Sequence, residues 1–226
     1  MTIEAIFLYG SWARGDQGEG SDKDLIMVTN EERGYHVTDG HHSMTYAPLA
    51  SLKDKAALGD LFVYHLIREA KSVLDPNDVL ATLRKSFKQK ASYLSEISHG
   101  SDMGWFLVHN HVALSAKLAA KRIAWAVRTI LIARSVMRGA PTFAPDKLSA
   151  FSTFPNTELL IAARHGHFSD KTIHALEAFL ELEGFRPPLG PEAGEAAWRR
   201  QFAETGNYVG VQLMKSLDDE EAPPYG

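Results

Sequence analysis

The sequence contains no cysteine, which excludes disulfide bonds and metal sites built from thiolates. It also lacks an apolar run of the roughly 20 residues that a helix needs to cross a bilayer. Its first residues lead almost directly into a predicted strand, which leaves no room for a signal peptide. The formal net charge of -4 gives no overall basic field, so binding of nucleic acid needs a local patch. These absences favour a soluble, cytoplasmic protein without a membrane partner.

The pattern of apolar residues changes along the chain. The 226 residues suffice for one large domain or two small ones. Short apolar runs and turn residues dominate the first third, whereas a helical period of 3.6 residues dominates the rest. The sequence therefore predicts an α+β protein, with a small mixed-sheet domain followed by an all-α helical domain. The predicted divisions are an α/β domain at 1–76, a helical domain at 77–205, and an acidic, mobile tail at 206–226.

Four residues near the N-terminus have the spacing of a phosphate and metal site. Gly10 and Ser11 end the first predicted strand, and Asp22 and Asp24 stand at the start of the second. Because side chains alternate along a strand, the two carboxylates should point the same way. Carboxylates at this spacing can share a divalent metal ion. A glycine-serine turn before a helical turn can hold a phosphate on backbone N–H groups.

The segment Gly10-Ser11, ten residues, then Asp22-x-Asp24 resembles the core motif of the DNA polymerase beta-type nucleotidyltransferases. The form Gly-Ser-x-Ala-Arg-Gly further resembles the minimal and kanamycin-type branches of that superfamily. The resemblance implies that Asp22 and Asp24 are catalytic and hold Mg²⁺ or Mn²⁺. It also implies that Gly10, Ser11 and Arg14 bind the triphosphate of an NTP, with ATP as the first choice.

One part of the family pattern is missing. Members usually carry a third carboxylate on a neighbouring strand, but the predicted strand at 41–46 contains no acid, and Ser43 or His42 takes that position. Three explanations stay open. A histidine could ligate the ion, although imidazole suits Mn²⁺ or Zn²⁺ better than Mg²⁺. The catalytic base could come from the helical half, with Glu96 or Asp102 as candidates. The domain could also bind nucleotide without turning it over.

Two functions follow from the resemblance. The first is two-metal transfer of a nucleoside monophosphate from an NTP to a hydroxyl of a small molecule, a protein or an RNA end. The alternative is a catalytically silent nucleotide-binding or regulatory module of a toxin–antitoxin or phage-defence pair. Lys117, Lys121 and Arg128, along one predicted helix, form either a positive wall for RNA or triphosphate, or a solvated face. An RNA or protein partner and a homo-oligomer both remain open.

Overall fold

The computed structural model describes residues 2–166 and 168–221. The chain divides between Ala91 and Ser92 into two compact units. The first unit contains a mixed sheet with helices, and the described part of the second contains only helices. The α+β class predicted from the sequence is therefore confirmed.

The sheet of the first unit has five strands in the order β3-β4-β2-β1-β5. Strands β1 and β2 are antiparallel, β2 and β4 are parallel, and β3 and β5 pair antiparallel with β4 and β1. The strand bounds are Ile3–Tyr9 for β1, Lys23–Thr29 for β2, Tyr35–Asp39 for β3, His42–Pro48 for β4 and Lys71–Leu74 for β5.

Alternation along the two central strands builds the core of this unit. Ala5 and Phe7 on β1 and Ile26 and Val28 on β2 are completely buried, whereas Ile6 and Met27, which stand between them, are partly exposed. Apolar side chains of three helices complete this core. The helices of the first unit are α1 at Gly10–Arg14, α2 at Leu49–Ala57, α3 at Leu61–Glu69 and α4 at Val79–Ser86.

The last helix of the first unit shifts the expected domain boundary. Val79, Leu80 and Leu83 of α4 are buried in the same cluster as the sheet residues. Asp75 begins this helix by accepting hydrogen bonds from the backbone N–H groups of Val79 and Leu80, at 2.7 and 3.2 Å. The first unit therefore extends to Ala91 instead of ending at residue 76, because α4 belongs to its core.

The second unit is built around a hairpin of two long helices, α5 at Leu94–Asn110 and α6 at Ala116–Met137. A Cβ atom on Gly100 would lie 2.7 Å from Ile130 Cγ1 and 2.8 Å from the Ala126 carbonyl oxygen, so glycine permits the close packing of these helices. Shorter helices follow: α7 at Pro145–Leu148, α8 at Thr157–Ala162, α9 at Asp170–Leu182, α10 at Glu195–Glu204 and α11 at Tyr208–Glu221.

The final helix, α11, lies within the segment 206–226 that was expected to be a mobile tail. Helix α11 buries Leu213 and Met214, and Gly210 lies so close to the Phe202 ring that a Cβ atom there would overlap it. Apolar packing therefore fixes the start of this segment, although its end is acidic. Residues 222–226 lie outside the described part of the chain. Among the described helices, none has the length and apolar character that a membrane span requires.

Candidate active site

The turn after β1 brings Gly10 against Asp24. Tyr9, the last residue of β1, is opposite Asp24 in the antiparallel ladder. Gly10 has a φ of +71°, which favours glycine, and a Cβ atom there would lie 2.7 Å from Asp24 Oδ2. The carboxylate therefore occupies the space that any other side chain would need. Residues that are distant in sequence meet here because the end of β1 and the start of β2 are paired.

The second carboxylate lies at the same end of the sheet. Asp22 immediately precedes β2, and its side chain is 44% exposed. Its Oδ1 atom lies 3.9 Å from Nδ1 of His41, in the turn that leads into β4. With one residue between them, Asp22 and Asp24 have the spacing that directs side chains to one side of an extended chain.

Ser11 follows Gly10 as the second residue of helix α1. The helix has five residues and is capped by Gly15, whose φ is +87° and whose N–H donates to the Ser11 carbonyl oxygen at 2.8 Å. The Ser11 side chain is half-buried and makes no hydrogen bond with the described residues. Its hydroxyl group is therefore available to a ligand at the Gly10 turn.

Arg14, at the end of α1, is held by two carboxylates. Its Nε atom donates to Asp16 Oδ2 at 2.9 Å, and its Nη1 atom donates to Glu69 Oε2 at 2.7 Å. His65 Nε2, one turn before Glu69 on α3, lies 2.9 Å from the same oxygen. We call Arg14, Asp16, His65 and Glu69 the Arg14 cluster. The side chains of Arg14, His65 and Glu69 are only 13–17% exposed.

The hydrogen bonds of the Arg14 cluster outweigh the cost of burial. Burial alone would raise the pKa of Glu69, but hydrogen bonds from His65 and Arg14 lower it below its ordinary value. Burial alone would lower the pKa of Arg14, but hydrogen bonds to Asp16 and Glu69 raise it. Both ion-pair partners are therefore charged at neutral pH. Glu69 could not be predicted from the sequence, because it lies 55 positions from Arg14 and no local pattern links the two residues.

The parallel register of β2 and β4 decides which residue lies beside the carboxylates. Ser43 is opposite Asp24, and His42 is opposite Lys23. Paired residues of neighbouring strands point to the same face of a sheet. Ser43 therefore shares the face of Asp24, and His42 shares the other face with Lys23.

The donor set fits a divalent ion held jointly by protein and nucleotide. In residues 2–166 and 168–221, no three histidine or carboxylate side chains are grouped closely enough to hold a metal ion. Mg²⁺ is usually bound through one or two carboxylates together with water and substrate phosphates. Asp22 and Asp24 can supply that number of carboxylates, so the chain offers part of a coordination sphere and leaves the rest to a ligand.

The candidates from the helical half have separate local roles. Asp102 is 5% exposed and accepts a hydrogen bond from Gln201 Nε2 at 3.0 Å, and burial raises its pKa. Glu96 is half-buried and accepts a hydrogen bond from Ser95 Oγ at 2.8 Å. Arg128 donates to the Phe143 carbonyl oxygen at 3.3 Å. Among the described residues, neither Asp102 nor Glu96 belongs to a group of three histidine or carboxylate side chains that could hold a metal ion.

Most of the first unit is similar to a known protein family. Residues 1–80 match the family described as "Polymerase beta, Nucleotidyltransferase". A similar solved structure is that of a nucleotidyltransferase-like protein from Exiguobacterium sibiricum 255-15, with 12% identity and a TM-score of 0.28. That similarity covers 79% of this chain and 69% of the other. No curated protein sequence matches the chain.

Proposed function

Since residues 1–80 belong to the polymerase beta-like nucleotidyltransferase superfamily, we propose that the chain transfers a nucleoside monophosphate from an NTP, with ATP as the first choice, to a hydroxyl acceptor. One observation carries the proposal: the Asp24 carboxylate lies against the backbone of Gly10, where a Cβ atom would be 2.7 Å from Oδ2. A bound phosphate at the Gly10 turn and a metal ion on Asp24 would consequently be neighbours.

Each site residue has a role in this reaction. Asp22 and Asp24 would hold Mg²⁺ or Mn²⁺, which neutralises the triphosphate and lowers the pKa of the attacking hydroxyl group. Gly10 lets the backbone approach the phosphates, and the Ser11 hydroxyl donates to a phosphate oxygen. The acceptor oxygen bonds to the α-phosphorus, the bond from that phosphorus to pyrophosphate breaks, and the hydroxyl proton passes to solvent.

Arg14 can contribute without leaving the Arg14 cluster. Its guanidinium carries five N–H groups, and the bonds to Asp16 and Glu69 use Nε and Nη1. The Nη2 group makes no hydrogen bond with the described residues, so it can donate to a phosphate oxygen. The two carboxylates would then fix the orientation of the guanidinium while it binds the nucleotide.

The test uses ATP labelled at the α-phosphate, Mg²⁺ or Mn²⁺, and three classes of acceptor: RNA, protein extract and small-molecule alcohols. We expect label transfer by the wild-type chain and a loss of at least about 100-fold in Asp24→Asn, because the metal contact is made in the transition state. Asp54→Asn, which changes an exposed carboxylate on α2 of the same unit, is the matched control. Equal transfer by Asp24→Asn would refute the assignment.

A second candidate function is a silent nucleotide-binding or regulatory module, the kind of role found in toxin–antitoxin or phage-defence pairs. The observation that favours it is the pairing of Ser43, instead of an acid, with Asp24. This module would bind NTP with Mg²⁺ in an Asp24-dependent way and transfer no label with either metal. Ser43→Asp then provides a direct test. If the missing third carboxylate is all that prevents catalysis, the carboxylate added beside Asp24 should give the variant label transfer.

A further inference from the structure

Two adjoining cavities lie on the surface of the second, helical unit. Their volumes are about 260 and 440 Å³, and Arg164 and His165 line both of them. Helix α6 forms a wall of each cavity, through Arg128 in the smaller one and Lys117 in the larger one. Because the cavities share two lining residues, they form one continuous groove, which we call the α6 groove.

The larger cavity is the cationic end of the α6 groove. Lys117, Arg164 and His165 line it, and none of its described lining residues is an acid. The side chains of Lys117 and Arg164 are exposed and make no ion pair or hydrogen bond with other described residues. A guanidinium and an ammonium group together can hold a carboxylate through charge-assisted hydrogen bonds. This end therefore suits the anionic end of a ligand.

The smaller cavity is the acidic end. Asp146 of α7 and Glu158 of α8 line it together with Arg128. Arg128 Nη2 donates to the Phe143 carbonyl oxygen at 3.3 Å, and Glu158 Oε1 accepts from Ser149 Oγ at 3.2 Å. The Asp146 carboxylate makes no hydrogen bond or ion pair with other described residues. Two carboxylates beside one α6 guanidinium leave an acceptor for an ammonium group.

Apolar side chains line both cavities. Ala120 and Ile161 are buried, and Phe168 is half-buried. These side chains can contact the apolar body of a ligand, but they supply no charge to a chain of phosphates. Asp146 and Glu158 would also repel such a chain. The α6 groove therefore favours a ligand with opposite charges at its two ends and an apolar body between them.

Helix α6 sets the length of that ligand. Lys117 in the larger cavity and Arg128 in the smaller one both lie on this helix. At a rise of about 1.5 Å per residue, the two positions are about 16 Å apart along the helix axis. A charged hydrogen bond of about 3 Å at each end leaves about 10 Å for the ligand. An extended peptide of about three residues, at about 3.3 Å each, has that length.

We infer that the α6 groove binds a short zwitterionic peptide of about three residues. Its C-terminal carboxylate lies between Lys117 and Arg164, and its N-terminal ammonium group lies at Asp146. A free peptide of this length satisfies both ends of the groove, whereas the C-terminus of a longer protein supplies only the carboxylate. This site is separate from the transferase function given above, because all its residues belong to the helical unit.

The first experiment compares peptides that differ at one end only. We would titrate the isotopically labelled full chain with trialanine at neutral pH and expect saturable amide chemical-shift changes at 116–120, 145–146 and 158–166. Trialanine amide lacks the carboxylate and N-acetyl-trialanine lacks the ammonium group, so each should bind about tenfold more weakly or less. Free alanine, which is too short to reach both ends, should also bind more weakly. Equal affinity of the three peptides, or no change up to about 10 mM trialanine, would overturn the inference.

Variants then assign the two ends of the groove. Arg164→Ala should remove the preference for trialanine over its amide, because it removes a charge-assisted hydrogen bond to the carboxylate. Arg164→Lys should retain that preference. Asp146→Asn should remove the preference for trialanine over N-acetyl-trialanine and leave the preference over the amide. Arg186→Ala, at an exposed position of the same unit, is the matched control and should change neither. Amide spectra establish that each variant is folded, and persistence of both preferences in Arg164→Ala and Asp146→Asn would refute the assignment.

These measurements also separate the peptide site from the transferase function, because they require neither nucleotide nor metal ion. Trialanine binding with the expected end preferences supports the α6 groove whether or not the chain transfers label from ATP. Asp24-dependent label transfer without trialanine binding would refute the peptide site alone.

Discussion

Removal of the Glu69 carboxylate should destabilise the first unit by about 2 kcal/mol at neutral pH. In Glu69→Gln, the Arg14 guanidinium stays largely buried, with a side-chain exposure of 15%, and loses a charged partner at 2.7 Å. A hydrogen bond to a charged group contributes about 1.5–3 kcal/mol. Asp16 still pairs with Arg14 in the variant, so we expect a value towards the lower end of that range.

The size of this effect should fall in acid. The folded-state pKa of Glu69 lies below its ordinary value of 4.5. Ionised Glu69 therefore makes its full contribution to stability at pH values above its unfolded-state pKa. This contribution is lost as the pH falls through the folded-state pKa. The difference between the wild type and Glu69→Gln should thus be largest near neutrality and smallest at the acidic end of the folded range.

Native-state amide hydrogen exchange measures this difference within the first unit, because the most slowly exchanging amides report its complete unfolding. The amides of Phe7 and Ile26, both in the buried core, are suitable probes. Glu32→Gln, at an exposed position, is the matched control and should change the free energy by less than about 0.5 kcal/mol. A Glu69→Gln effect no larger than that of the control, or one that grows in acid, would contradict the reasoning.

Three further changes test other features of the structure. Gly10→Ala should cost about 1–3 kcal/mol and reduce ATP binding in calorimetry, because its Cβ atom would lie 2.7 Å from Asp24 Oδ2 at a positive φ. Gly100→Ala should lower the stability of the helical unit to urea by about 1–3 kcal/mol, since its Cβ atom would contact Ile130 at 2.7 Å. Burial raises the pKa of Asp102, so its contribution to stability is lost as the pH rises through that pKa. Asp102→Asn should therefore show a flatter pH dependence in thermal unfolding, and an unchanged one would contradict the assignment.

Local patterns in the sequence were sufficient to predict the sheet that carries the site. Gly10 directly follows β1, Asp22 and Asp24 stand at the start of β2, and the strand predicted at 41–46 corresponds to β4. The extent of the first unit could not be predicted in this way. Helix α4 has an apolar face like those of the later helices. The helical spacing of its apolar residues predicts that face but does not indicate which domain packs against it.

The candidate site also has one part that could be predicted from the sequence and one part that could not. The spacing of Gly10, Asp22 and Asp24 is a short-range property of one strand–turn–strand segment, so the sequence contains the information for it. The ion pair of Arg14 with Glu69 joins α1 to the end of α3, and an arginine in a phosphate motif gives no sign that a carboxylate already holds it. Such pairs follow only from tertiary packing.

The charges around the site explain why nucleotide binding should depend steeply on a divalent ion. Asp22 and Asp24 place two negative charges at the turn where a triphosphate would bind, and two further carboxylates, Asp16 and Glu69, already neutralise Arg14. Without a metal ion, a triphosphate would therefore meet net repulsion from the same residues that we propose to carry out transfer. A divalent ion reverses this balance, because it is bound by both the carboxylates and the phosphates. The measured affinity for ATP should accordingly rise with Mg²⁺ concentration in the wild type, and this dependence should be much weaker in Asp24→Asn.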